Sequence, residues 1–426
     1  MGRFGSARGV RRRTAHLAGL SLGLGLLGPS YLVACHPMEA GSTAANAARS
    51  HTAATFASVG GEVFSFPDAT ASPREAAGVP RELVAFLQQC RLGDAALARV
   101  AERFARRQSE GSAALDVSEI SFALRAEGSP YVWPRAWTLE GDDLVSSAAV
   151  QRMRTWLDGF DDGGERRCGV ALVSGREHSV LAAVAVDALA DLEPLPVRQR
   201  AGSWVEVKAS MLVAATDAKL IVLGPSGLPY AVPTSFDGKR ARARFRADRP
   251  GAFLVQLLAN VAGGPRPVLE ATVYADVQPP RSFFVDSAPG EPVVPPAADA
   301  DRDAALFDMI NRARAFERSP TLQRDQNLDA IAERHAQAMR KLQRIAHDAG
   351  DGDPRSRVEA ANLDVLAAGE NVAHAIDVTR AHRALWASPS HRENLLEARF
   401  DRVGIGTALD DDGSIWVCEV FADVPN

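Results

Sequence analysis

Cysteine is scarce in this sequence, with four in 426 residues, at positions 35, 90, 168 and 418. They form no C-x-x-C pair and no Cys/His cluster, which argues against a structural zinc site. H-E-x-x-H and any His-x-x-x-His pair are also missing, and no G-x-S-x-G elbow occurs beyond the N-terminal apolar run, so the common zincin and serine-hydrolase signatures are absent from the rest of the chain. Beyond the first 34 residues no hydrophobic run is long enough to span a bilayer.

What is present reads as a soluble chain. Hydrophobic residues make up 46% and charged residues 24%, ordinary proportions for two or three globular domains. The N-terminus has a different character. Arg3, Arg8, Arg11, Arg12 and Arg13 precede the apolar run Leu17–Leu27, and Leu32-Val33-Ala34 stand directly before Cys35. This pattern predicts a signal peptide of lipoprotein type over residues 1–34, with Cys35 lipidated. An ordinary signal peptide and an uncleaved anchor are the alternatives. Cleavage would remove five arginines and no acid, so the formal charge of −5 becomes −10. Such a chain has no electrostatic reason to bind nucleic acid or anionic headgroups, and membrane attachment is expected through the N-terminal lipid only.

Composition divides the rest. Residues 35–75 are small and polar and read as a flexible tether; residues 279–301 are proline-rich and read as a linker. Residues 194–278 hold short Val-, Leu- and Phe-rich runs separated by turn signals, which predicts an all-β sandwich. Within it, "RARARFRA" from Arg240 alternates with period two, so one strand face is solvated. Residues 302–426 open with helical periodicity and close on two strands around "DDDGS", an α+β pattern.

Residues 76–193 echo that last block. "LARVAERFARR" at Leu97 matches "LDAIAERHAQA" at Leu328, and "RCGVALVS" at Arg167 matches "RVGIGTAL" at Arg402. "LVAFLQQCR" at Leu83 likewise mirrors "LFDMINRAR" at Leu306. Three matches in one order argue for an internal repeat. The first copy reads "WPRAWTL" where the second has Gly369-Glu370-Asn371, and it has no counterpart of "SPSHR". It keeps the core pattern and loses the polar groups. The alignment also puts Cys90 in a first helix and Cys168 at the start of a core strand, so a disulfide between them is possible.

The motifs "IAHDAG", "AAGENVAHA", "WASPSHRENLL" and "IWVCEVFA" resemble, in this order, the bacterial CAP (SCP) domain, relatives of the cysteine-rich secretory, antigen 5 and pathogenesis-related proteins. The resemblance covers residues 302–426 and implies an α-β-α sandwich; residues 76–193 look like a degenerate CAP-like α+β module. It implies a cleft of two histidines and two acids, which maps onto His347, Glu370 and His391, with Glu419 at the fourth position and Asn371 beside them. These are the candidate ligand-binding residues, and His347, Glu370, His391 and Glu419 are the candidate catalytic ones. His347 and His391 are the candidates for a divalent metal such as zinc. Strand alternation sets Cys418 opposite Glu419, as a buried unpaired thiol. His335 is expected to be structural, His374 and His382 solvated, Ser388 and Ser390 to act as helix caps, and Arg392 and Asn394 to fix the His391 helix. The expected function is extracytoplasmic binding or adhesion, at an outer membrane, at the cell surface or after secretion. Its ligand would be a lipid, glycan, cell-wall component or protein. A metal-dependent hydrolase and an envelope scaffold are the alternatives.

Overall fold

The computed structural model describes residues 63–72, 79–111, 117–160, 163–175, 178–284, 287–292 and 301–425, and the backbone of 35–37. The expected signal peptide and most of the tether lie outside the described residues. The fold is α+β, in three blocks.

The C-terminal block is a sheet between helical layers. Strands run in the order Ala367–Ala375, Ile415–Asp423, Arg402–Leu409 and Gln323–Arg324, and the backbone of Cys35–Pro37 pairs in parallel with the free edge of the first. Helix Gln326–Leu342 packs on one face. Helices Arg302–Phe316, Val378–Ala387 and Pro389–Leu396 cover the other. Asp325 starts the long helix by accepting the backbone N–H groups of Asn327 (2.8 Å) and Leu328 (3.1 Å).

The N-terminal block repeats this plan. Leu92–Gly93 pairs in parallel with Glu165–Ser174, which pairs with Ser179–Ala188, which pairs with Arg135–Gly141. Asp94 caps helix Ala95–Ser109 through Ala96 and Leu97, as Asp325 does its own helix. Both helices lie so close to their sheets that the strand needs a glycine. A Cβ on Gly404 would fall 2.0 Å from the Leu328 carbonyl carbon, and one on Gly169 would fall 1.8 Å from the Ala98 nitrogen. Cys90 and Cys168 are disulfide-bonded, with Cα atoms 6.0 Å apart, tying this block's first helical segment to its sheet.

The middle block is a sandwich of two sheets. One runs Thr234–Phe236, Arg240–Arg246, Trp204–Met211 and Ala190–Leu192; the other runs Pro229–Val232, Ala218–Leu223, Gly251–Val261, Gly264–Ala275 and Arg198–Gln199. Ala241, Ala243 and Phe245 point inward while the arginines between them point out. Strand Ala190–Leu192 pairs with Trp204–Met211, so the first two blocks meet without a gap. They share one buried apolar cluster, from Leu97 and Phe104 to Val205 and Val255.

Two segments expected to be loose are anchored. Phe64 and Phe66, in the expected tether, are buried in that cluster, each worth about 1.5–3 kcal/mol of burial. In the proline-rich linker, Glu291 pairs with Arg383 (2.5 Å), and the Pro289 carbonyl accepts from His382 Nε2 (2.9 Å).

Candidate functional site

Strand Ala367–Ala375 carries Glu370 and Asn371 in succession, so their side chains leave opposite faces of the sheet. Its register with the neighbouring strand sets Glu370 opposite Val420, Asn371 opposite Glu419 and Val372 opposite Cys418. Glu370 therefore shares a face with Cys418, and Asn371 shares one with Glu419. Two polar clusters result, one on each side.

The first lies under helix Gln326–Leu342. Glu370 is fully buried. His347 Nδ1 donates to its Oε1 (2.7 Å), the Arg357 guanidinium pairs with its Oε2, and the Cys418 thiol points at the same oxygen (3.4 Å). Arg357 also donates to the carbonyls of His347 (2.8 Å) and Gly352, which holds the His347 loop against the strand. His335 Nδ1 donates to Asp351 Oδ2 (2.9 Å) and its Nε2 to the Ala346 carbonyl (2.8 Å). Both ring nitrogens thus face oxygen atoms, which fixes the ring in place. Burial alone would raise the Glu370 carboxyl, but Arg357, then His335 and His347, outweigh it and hold it at about 2. Burial first, and then the Glu370 charge, push the Cys418 thiol well above its ordinary range, so it stays protonated.

The second cluster lies on the opposite face. Asn371 Nδ2 donates to Glu419 Oε2 (3.1 Å) and to the His391 carbonyl (3.3 Å). Asn394 Nδ2 donates to Asn371 Oδ1 (3.0 Å) and to the Glu370 carbonyl (3.2 Å), which ties the His391 helix to the strand. Glu419 Oε1 is buried without a hydrogen-bond partner among the described residues. Burial pushes this carboxyl up to about 8, against the lowering by Asn371. Two glutamates on one sheet are thus driven in opposite directions, one paired with a guanidinium and one with an amide.

The sandwich roofs the second cluster. Gln256 Nε2 donates to Ser388 Oγ (3.3 Å) and to Glu270 Oε1 (2.6 Å), and Gln256 Oε1 accepts the Ser390 backbone N–H (3.1 Å). Lys219 pairs with Glu393 (2.8 Å). Ser388 occupies the cap position of helix Pro389–Leu396 but makes no side-chain cap bond, because its hydroxyl is turned to Gln256 and Ser390.

The expected cleft residues are all buried. His347 and Glu370 come together; Asn371, Glu419 and the His391 backbone come together; the sheet separates the two sets. The His347 ring meets Glu370 on one face of the strand, and the His391 backbone carbonyl meets Asn371 on the other. Among the described residues no group of three His, Cys, Asp or Glu is placed to hold a metal ion. His374 and His382, expected in solvent, are buried: His374 stacks on Trp416 (ring centroids 4.1 Å apart) and bonds Ser414 Oγ, and His382 reaches the linker. Arg357 and Gln256 were missed. Nothing local marks Arg357, whereas a lone glutamine inside "AFLVQLLANV" is a visible break in an apolar strand.

Residues 307–420 match the model of the cysteine-rich secretory protein family, CAP. The C-terminal segment is a CAP domain. Solved structures similar to the chain include an outer surface protein from Borrelia burgdorferi. It is 22% identical over 29% of this chain and 92% of that one, with a TM-score of 0.28. An extracellular protein containing a SCP domain from Bacillus anthracis is 16% identical over 55% of this chain and 86% of that one, TM-score 0.26. A cysteine-rich secretory protein from Staphylococcus aureus is 13% identical over 55% and 85%, TM-score 0.25. Comparison with curated proteins returns no match.

Proposed function

We propose that this chain is an exported, lipid-anchored CAP-domain protein that binds or adheres at the cell envelope and does not hydrolyse what it binds. The observation that carries this is the state of Glu370. It is fully buried, paired with Arg357, bonded by His347 and held ionised down to about pH 2. A general acid or base works best with a proton affinity near the operating pH and within reach of substrate. Glu370, buried and held by a guanidinium, offers neither. The Cys90–Cys168 disulfide supports an extracytoplasmic setting, where such bonds persist. So does the signal-like N-terminus ending at Cys35. No helix among the described residues is long and apolar enough to cross a membrane.

The two α/β modules descend, on this proposal, from one duplicated unit. Their matching helix caps, parallel short strands and helix-contact glycines support it.

The test is a paired assay on the full chain with isolated envelope material. We expect retention on the envelope fraction with no release of hydrolysis products, and no stoichiometric metal by elemental analysis. Metal at one equivalent, together with turnover lost in Glu370→Gln at unchanged melting temperature, would establish the hydrolase instead.

A further inference from the structure

The chain is acidic overall, yet one face of its sandwich is basic. Arg240, Arg242, Arg244 and Arg246 all project to solvent from a single strand. Positions of like facing recur about every 7 Å along a strand. The register sets Trp204 beside Arg246, Glu206 beside Arg244 and Lys208 beside Arg242. The acids of this face are already committed: Asp237 to Arg240 (3.2 Å), Glu206 to Lys208 (2.9 Å) and Asp248 to Arg249 (2.9 Å). Arg242, Arg244 and Arg246 make no salt bridge among the described residues, so they form the surplus.

At one end of this row the sandwich edge opens into a cavity of about 460 Å³. Its floor is the tilted pair Phe245 and Phe253, with ring centroids 5.9 Å apart. Tyr230, Arg244 and Arg246 stand around it, with Arg249 and its partner Asp248. Trp204 is 60% exposed, and the Arg244 guanidinium lies over its ring at 5.2 Å. A large exposed indole held flat by a cation, beside arginines that make no salt bridge and a pocket of ligand size, is a poor way to make a solvated surface and a good way to make a site.

We infer that this face is a binding site for an acidic oligosaccharide, separate from the CAP domain's buried clusters. Guanidiniums bind carboxylate or phosphate in bidentate fashion, and the aromatic faces of Trp204 and Tyr230 suit the C–H faces of sugar rings. A single-stranded nucleic acid fits less well. It needs aromatic platforms along the whole groove, and here the aromatics stand at one end only.

The test is calorimetric titration of the full chain with three hexasaccharides: a uronic acid oligomer, a phosphorylated dextran oligomer and a neutral dextran oligomer. We expect at least one acidic oligomer to bind and the neutral one not to. Arg244→Gln/Arg246→Gln and, separately, Trp204→Ala should each weaken binding tenfold or more at unchanged melting temperature. Added salt should weaken it further. The proposal is overturned if neither acidic oligomer binds, if either variant binds as tightly as the wild type, or if single-stranded DNA of equal charge binds as well as the sugar.

Discussion

The N-terminal and C-terminal modules place the same backbone around very different interiors. Aligned by sheet register and helix cap, Glu370 of the second module stands where the first has Ala136, Asn371 where it has Trp137, Cys418 where it has Ala182 and Glu419 where it has Ala183. His335 stands where the first has Phe104, each at the same distance along its helix from the capping aspartate. Every polar member of the buried clusters in this alignment has an apolar counterpart, and the first module keeps its fold. The polar clusters are therefore dispensable for the topology. The first module also carries a disulfide that the second lacks, where Val403 takes the register position of Cys168. The first module has a buried arginine of its own, Arg167, paired with Asp191 (2.7 Å), beside its disulfide. The other keeps a buried ion pair, an arrangement that costs desolvation and is seldom retained for stability alone.

The largest effect should come from unbalancing that ion pair. Glu370→Ala leaves the buried Arg357 charge with only its longer contact to Asp351 (3.5 Å), and should cost about 3–5 kcal/mol in urea denaturation. Making the second module resemble the first, as His335→Phe/Arg357→Leu/Glu370→Ala, should be less destabilising than Glu370→Ala alone. If the triple variant is worse, the cluster holds the fold and the comparison fails. In the first module, Cys90→Ala/Cys168→Ala should cost about 2–5 kcal/mol, with the loss falling on residues 79–188 in hydrogen exchange.

A smaller effect distinguishes the two glutamates by pH. Folded Glu419 keeps its proton up to about 8, while the unfolded residue releases it near the ordinary 4.5. Between those values the folded state binds more protons, so stability falls as pH rises through the window. Glu419→Gln should flatten that decline. Glu370 acts in the opposite sense: its contribution is present above 4.5 and is lost as pH falls toward 2. The smallest effect tests what the modules share. Asp94→Ala and Asp325→Ala should each cost about 1 kcal/mol, by the same loss of two backbone bonds.

Much of this architecture was legible in the residues. Helical spacing placed a helix near Leu328 to Leu342, where the structure has Gln326–Leu342; period-two alternation located the arginine strand, and "DDDGS" located the final hairpin. The proposed repeat rests on core positions, which tolerate few residue types. Site membership was less legible, for a specific reason. Alternation within one strand does set Cys418 and Glu419 on opposite faces. Which of them joins Glu370 depends on the register between two strands, and a sequence does not display that. His382 is a different case: it falls four residues after Val378, on the same buried stripe as Ala381 and Leu385, and helical spacing alone could have placed it inside. The buried Phe64 and Phe66 likewise stand out as large aromatics in an otherwise small-residue segment.

The measurement that bears most directly on this account is a carboxyl ¹³C NMR titration of the glutamate-labelled chain, with Glu370→Gln and Glu419→Gln used to assign the two signals. The account predicts that Glu370 stays ionised from neutral pH down to about 2, while Glu419 titrates near 8. A Glu370 midpoint between about 5 and 8 would contradict it, because a carboxyl poised there is free to trade protons with a substrate, and the binding role proposed for this domain would give way to catalysis.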